Sequence, residues 1–196
     1  FDYLLETGAI RQNIIKRIRI RQSGKKVLPE TLNSQQLENI YQSFMNLPQW
    51  EHRTKTAKLL HQRNIVILGL LVYQGMDSGE IGKLETSHIN LSEGKIYIPS
   101  TRKSNARTLK LQANQILPIK SYIEEFNPNP YLFSTRKHSD MICKIVRQAK
   151  KEHPEIKDSR QVRASVIMNW LKQYNIRQVQ YMAGHKSIRT TEQYRN

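Results

Sequence analysis

The last stretch of the chain, residues 184–194, places a histidine and a tyrosine nine residues apart among basic and hydroxyl side chains. These residues are His185 and Tyr194. A tyrosine hydroxyl is a weak nucleophile near neutrality because its ordinary pKa is about 10, so attack by Tyr194 requires nearby cations that stabilise the phenolate. Taken alone, the stretch also fits a short amphipathic helix that ends in an ordinary half-buried tyrosine.

The helix predicted over 160–171 carries a charge inside its apolar face. Arg163 lies in the middle of the arc formed by Val162 and Val166 and their apolar neighbours, and Arg160 lies one turn away at its edge. A buried guanidinium without partners is costly, so Arg163 requires an anion or a tight set of acceptors. The alternative is that it reaches water or pairs with an internal acid such as Glu80.

The chain carries far more cations than acids. Its 196 residues include 32 Lys and Arg against 16 Asp and Glu, a formal net charge of +16. A foldable sequence with this surplus favours a polyanionic partner, and we expect nucleic acid before an anionic membrane. The longest apolar run, 65–73, is much too short to cross a bilayer. With nucleic acid preferred, we expect no membrane partner.

Cysteine and histidine usage indicates a reducing compartment and no metal centre. Cys143 is the only cysteine, which excludes an internal disulfide and fits the cytosol. The six histidines are scattered without ligand spacing, so we expect no bound metal. The sequence begins with Phe rather than Met and stops two residues after Tyr194, and we interpret it as a fragment.

Hydrophobic periodicity predicts an α+β fold that is mostly α-helical and contains one small sheet. Apolar residues recur at helical spacing over 29–48, 55–73, 113–126, 139–151, 160–171 and 175–183. Strand-like alternation occupies three short runs, at 88–91, 95–99 and 107–111. We therefore expect a three-stranded antiparallel sheet with a basic hairpin tip at 101–106, and a buried central helix that contains the run 65–73.

Capping residues and breakers give the expected helix ends. Ser78 is expected to cap a short helix, and Ser139 or Asp140 is expected to cap a longer one. Pro118 is expected to interrupt or begin its helix, because proline lacks the N–H that a helix interior needs. The last helix is expected to carry Tyr194.

These features together resemble the C-terminal signature of the tyrosine recombinases, also called phage integrases or Xer-like recombinases. The resemblance is carried by Arg163, by 183–188 and by 190–194, and more weakly by 73–84, by the hairpin with Lys103 and by 131–133. It implies a tyrosine-recombinase catalytic domain over 29–196. Residues 1–28 would then be the end of a core-binding domain and a basic linker.

The resemblance implies a role for each site residue. Tyr194 would attack a DNA phosphate and form a 3′-phosphotyrosyl link, which needs neither a metal nor a nucleotide cofactor. Arg163 and His185 would bind the phosphate oxygens, and Lys103 would protonate the leaving 5′-oxygen. Apart from the resemblance, our hypothesis is that Arg160 partly replaces a family cation that this chain lacks at Asp77, since Arg160 lies one turn from Arg163. Further contacts with double-stranded DNA are expected from Arg102, Lys103, Lys186, Arg189, Lys25 and Lys26.

Two positions depart from the family pattern. The family's first arginine corresponds to Asp77, and a carboxylate turned towards the phosphate would repel it. The family carries His or Lys three residues before Arg163, where this chain has Arg160, which cannot act as a base near neutral pH. A catalytically impaired DNA-binding or regulatory module of the same fold is therefore one alternative, and a type IB topoisomerase-like enzyme is another.

The resemblance also implies an assembly and a location. Family members act as tetramers on two DNA sites, so we expect a homotetramer on DNA for the full-length protein and a monomer for a fragment such as this one. The expected location is the cytoplasm of a bacterium or of a phage-infected cell, at the nucleoid.

Overall fold

The computed structural model describes residues 2–12, 30–47, 54–135 and 137–195, which form a mostly helical α+β fold with one small sheet. The helices are α1 (Asp2–Glu6), α2 (Ser34–Met45), α3 (Lys55–Gln74), α4 (Ser78–Ile81), α5 (Ala113–Phe126), α6 (His138–Glu152), α7 (Ser159–Leu171), α8 (Ile176–Ala183) and α9 (Ile188–Glu192). The strands are β1 (Ile89–Asn90), β2 (Lys95–Ile98) and β3 (Arg107–Lys110). The predicted fold class is confirmed.

Helix α3 forms the centre of the core because its C-terminal half is apolar on every side. Residues from Val66 to Val72 are buried there. The helix packs against α2, α5, α6 and α7, as expected for a central helix. Gly75 ends it with a φ of 56°, a left-handed conformation that glycine adopts without strain.

Helix α7 is fixed by polar side chains that bind the backbone before α2. Ser165 Oγ accepts the N–H of Leu32 at 2.9 Å, and Asn169 Nδ2 donates to the carbonyl of Leu32 at 3.0 Å. Gln161 Nε2 donates to the carbonyl of Glu30 at 2.7 Å. Because these side chains are four residues apart on one face, they set the rotation of α7 and so the direction of Arg163.

The three strands form one antiparallel sheet in the order β1-β2-β3. Ile96 of β2 pairs with Ile89 on one side and with Leu109 on the other. The inward side chains of β2, Ile96 and Ile98, are buried in the core, whereas Tyr97 faces outward. The hairpin between β2 and β3 therefore leaves the sheet with its basic tip at 101–106, as predicted.

Three predicted helix starts differ from the structure. Asp77, not Ser78, caps α4, because its carboxylate accepts two backbone N–H groups of the first turn. Helix α6 begins one residue before Ser139, so Ser139 and Asp140 lie inside its first turn. Helix α5 runs through Pro118: the carbonyl of Asn114, which lies four residues before the proline and lacks its usual helical donor, lies 3.5 Å from the Tyr41 hydroxyl.

The C-terminal end of the chain also differs from expectation. Helix α9 ends at Glu192, so Tyr194 lies in the turn that follows it, with its N–H donating to the carbonyl of Thr191 at 3.0 Å. Helix α1 is exposed and short. The basic linker predicted around Lys25 and Lys26 lies outside the described residues.

Candidate active site

Arg163 extends from α7 to the point where three other elements meet. Its Nη1 donates to the carbonyl of Gly75 at the end of α3 and to Glu80 Oε2 of α4, the latter at 3.0 Å. Its Nη2 donates to the carbonyl of Ala183 at the end of α8, at 2.9 Å. The side chain is 16% exposed. Arg163 thus meets both the internal acid and the tight set of acceptors that the sequence suggested, and it keeps a partly exposed edge.

Arg107, the first residue of β3, is a second cation on Glu80 that the sequence interpretation missed. Its Nη1 and Nη2 lie 2.6 and 3.2 Å from the two carboxylate oxygens of Glu80, and neither side chain is exposed. The available signal was the alternation of Arg107 with Leu109 and Leu111, which puts the arginine on the core face of its strand.

The carboxylate of Glu80 stays charged although it is fully buried. Burial raises its pKa, but the hydrogen bond from Arg107 and the charges of Arg163 and Arg107 outweigh burial and bring the pKa to about 2. The N–H of Asp77 donates to the same carboxylate at 3.0 Å. One buried anion therefore holds two guanidinium groups from distant parts of the chain.

We expect Glu80 to make the protein sensitive to acid. Its pKa is about 4.3 in an unfolded chain, so the stabilisation it contributes is complete above that pH and is lost as the pH falls towards about 2. Across this interval the free energy of unfolding of the wild type should fall by about 3 kcal/mol more than that of Glu80→Gln. Urea unfolding at several pH values measures the difference. Replacing the exposed Glu124 by Gln is the control, and a wild type that parallels Glu80→Gln would contradict the expectation.

Four cations line one cavity of about 560 Å³ beside this cluster. Arg102 and Lys103 come from the β2–β3 hairpin tip, whereas Arg160 and Arg163 come from α7. The first three side chains are exposed, so they are accessible to a ligand in the cavity. This arrangement concentrates positive potential where an anionic group of moderate size can enter.

The hairpin tip is attached to the loop that carries His185. Ser104 and His185 form an antiparallel bridge, and the N–H of Asn105 donates to the carbonyl of Gly184 at 2.8 Å. Gly184 ends α8 with a φ of 70°, which turns the chain sharply towards the hairpin. Lys103 and His185 are therefore held near each other by the backbone, although they are far apart in the sequence.

His185 and Tyr194 lie against each other at the end of the chain. Their rings stack with centroids 5.9 Å apart and an angle of 13° between the planes. His185 is buried, and its Nδ1 lies 2.9 Å from Thr191 Oγ1. Tyr194 is half-buried and packs against a small cluster that includes Ile167 and Ala183. The stacking on His185 orients the ring of Tyr194. The sequence alone did not indicate this contact.

The predicted site residues therefore lie in two adjoining groups. Arg102, Lys103, Arg160 and Arg163 line the cavity. His185 and Tyr194 stack beside Ala183, whose carbonyl accepts the hydrogen bond from Arg163, and Tyr194 is not part of the cavity lining. The exposed residues Lys186 and Arg189 lie in the loop after His185 and in α9.

Asp77 lies at the edge of the same cavity but directs one carboxylate oxygen to its own helix. Its Oδ1 accepts the N–H groups of Gly79 at 2.8 Å and Glu80 at 2.9 Å. Asp77 is therefore a helix cap. It adds a negative charge to a cavity whose other charged lining residues are all positive.

Residues 2–12, 30–47, 54–135 and 137–195 contain no group of three or more His, Cys, Asp or Glu that could hold a metal ion. Within that described part of the chain, no helix is both long and apolar enough to cross a bilayer.

The family model described as "Phage integrase family" matches residues 30–196, which include the cavity, His185 and Tyr194. The chain belongs to the phage integrase family, the tyrosine recombinases. Among curated relatives, it is 27% identical over 143 residues to the TnP I resolvase of Bacillus thuringiensis. That match covers 69% of this chain and 50% of the resolvase, so the chain spans about half the length of that relative.

Solved structures of other proteins share the fold of this member of the phage integrase family. The XerH site-specific recombinase, in a pre-cleavage complex with its difH substrate, aligns with a TM-score of 0.70 at 22% identity over 86% of this chain and 51% of XerH. A lambda integrase dimer bound to a COC′ core site aligns with a TM-score of 0.58 at 19% identity over all of this chain and 55% of the integrase. Both similar proteins were solved bound to DNA.

Proposed function

We propose that this chain is the catalytic part of a site-specific recombinase or integrase that breaks and rejoins DNA strands through a 3′-phosphotyrosyl intermediate. The observation that supports the proposal most directly is the convergence of four cations on one cavity, beside the stacked rings of His185 and Tyr194. Membership of the phage integrase family supports it independently.

In the proposed reaction, the Tyr194 oxygen loses its proton to water and attacks the phosphorus of a DNA backbone phosphate. A bond forms between the tyrosine oxygen and phosphorus, and the bond from phosphorus to the 5′-oxygen breaks. Lys103 donates a proton to that oxygen, which leaves as a hydroxyl. Arg163 and His185 bind the non-bridging oxygens, and Arg160 adds a second guanidinium. Attack of the 5′-hydroxyl on the phosphotyrosine rejoins the strand.

The alternative is a DNA-binding or regulatory module of the same fold with impaired catalysis. It is favoured by Asp77, because a capping carboxylate in the cavity supplies no cation to a phosphate. A type IB topoisomerase-like activity remains a third outcome, which relaxation of supercoiled plasmid without sequence preference would reveal.

Covalent attachment to DNA distinguishes these functions. We expect the wild type to form a denaturant-resistant protein–DNA complex on a nicked suicide duplex, because loss of the short strand after cleavage prevents religation. Tyr194→Phe should bind the duplex but form no complex, since it lacks only the attacking oxygen. Denaturing gel electrophoresis measures both. Binding by the wild type without any adduct would instead favour the regulatory module.

We infer a matching organisation for the whole protein. Residues 1–28 would end a core-binding domain and supply a basic linker, and residues 29–196 would form the catalytic domain. Lys25, Lys26, Arg102, Lys186 and Arg189 would contact DNA phosphates. The full-length protein would act as a homotetramer on double-stranded DNA in the cytoplasm, at the nucleoid, whereas residues 1–196 by themselves would be monomeric.

A further inference from the structure

We propose that Arg107 is a positioning residue that balances the charge of Glu80 and thereby leaves the charge of Arg163 available to a phosphate in the cavity. This inference rests on the proposed function, because it assigns a phosphate to that cavity. It concerns a residue that has no exposed surface and lies outside the motifs that first indicated the site.

The charges of the buried cluster explain why a second arginine is needed. Glu80 contributes one negative charge, and Arg107 and Arg163 contribute one positive charge each, so the cluster carries a net charge of +1. Glu80 and Arg107 are 0% exposed, whereas Arg163 is 16% exposed and lines the cavity. The net positive charge therefore reaches the cavity through Arg163.

Loss of Arg107 would change the role of Arg163. Arg107 makes the two-point contact with Glu80, while Arg163 shares one of the carboxylate oxygens. Without Arg107, Arg163 would be the only guanidinium on this anion, and the cluster would be neutral. A neutral pair attracts a phosphate much less than a cluster with net positive charge. Arg163 would then remain in place but act mainly as the counter-ion of Glu80.

Arg107 also supports the turn that precedes His185, which gives a rival explanation for any defect. A Cβ added at Gly184 would lie 3.0 Å from Arg107 Cζ and 3.1 Å from the carbonyl oxygen of Asn105, so the guanidinium fills the space beside this turn. Arg107 could therefore act through shape rather than charge. The two explanations predict different salt dependences of DNA affinity when Glu80→Gln is combined with a substitution of Arg107.

The salt dependence of DNA affinity tests the charge explanation. The slope of log affinity against log salt changes by about 0.9 for each phosphate contact on duplex DNA. We expect Arg107→Met to lower the slope by about one contact and the affinity by about tenfold, as Arg163→Met should. Because Arg107 is 0% exposed, it cannot touch DNA itself, so its effect must be indirect, through the charge of Arg163 or through the turn at Gly184.

The double variant Arg107→Met with Glu80→Gln separates charge from shape. It removes the buried anion together with its partner, so we expect the slope to return to the wild-type value. A double variant that keeps the low slope would overturn the proposal in favour of the turn-supporting role. If Arg107→Met alone does not fold, the double variant still decides the question, because replacing both members of a buried ion pair with neutral groups is often tolerated.

Failure of this inference can be distinguished from failure of the proposed function. The slope reports binding, whereas the suicide duplex reports strand cleavage. A wild type that makes no adduct, combined with low slopes for both single variants, would reject the recombinase activity and keep the role of Arg107. A wild type that makes the adduct, combined with a wild-type slope for Arg107→Met, would support the recombinase activity and reject the role of Arg107. An unchanged slope in Arg163→Met would reject the inference.

Discussion

Replacing Arg163 by Ala should lower the rate of covalent attachment to a suicide duplex by about 10³-fold, the largest loss expected apart from removal of the tyrosine oxygen. The guanidinium combines two functions. Its contacts with Gly75, Glu80 and Ala183 join the ends of three helices, and its exposed edge supplies positive charge to the cavity. The variant loses both, and it leaves Glu80 with Arg107 as its guanidinium partner.

Two further variants identify which of these functions matters. Arg163→Lys keeps the charge but cannot reproduce the fork of donors. Compared with Arg163→Ala, it should therefore recover more of the stability than of the rate of covalent attachment. Arg160→Ala should lower the rate by about tenfold, because Arg160 lines the same cavity without any hydrogen bond that joins helices. Single-turnover rates measure the contribution of charge to the cavity, and melting temperatures measure the contribution of the contacts that join the helices. An Arg160→Ala rate equal to that of the wild type would reject the compensating role of Arg160.

Replacing Asp77 by Arg should raise the rate of covalent attachment by about 10²-fold. The substitution removes a negative charge from the cavity and supplies a cation at the position where the family resemblance expects one. It should also lower the free energy of unfolding by about 1 kcal/mol, because Asp77 caps α4 through the N–H groups of Gly79 and Glu80. Rate and stability should therefore change in opposite directions.

Asp77→Asn is the matched control for this gain. Asparagine caps helices about as well as aspartate, so this variant removes the charge and keeps the cap. We expect Asp77→Asn to retain wild-type stability and to gain only a small part of the rate. If Asp77→Arg is no faster than Asp77→Asn, the missing cation does not limit the rate of covalent attachment. That result would favour the DNA-binding or regulatory module. The same suicide duplex and melting curves provide both measurements.

The sequence determined the elements whose signals are local. The all-round apolar run of α3 predicted its burial, and the alternation in β2 and β3 predicted the sheet and its basic hairpin. The short spacing between His185 and Tyr194, with Arg163 in an apolar face, indicated three residues of the candidate site, and the family resemblance supplied the others. These signals depend on periodicity and on short spacing, which a chain expresses without its tertiary contacts.

The tertiary structure decided how those residues are held. Arg107 binds Glu80 across 27 residues of sequence, and His185 pairs with the hairpin at Ser104. The cap at Asp77 was local but was assigned to Ser78, because both residue types cap helices and only the backbone geometry selects one. Periodicity identifies the face on which a side chain lies but not the partner it meets there. Which buried anion belongs to which cation is therefore fixed only by the packing of β3, α4 and α7.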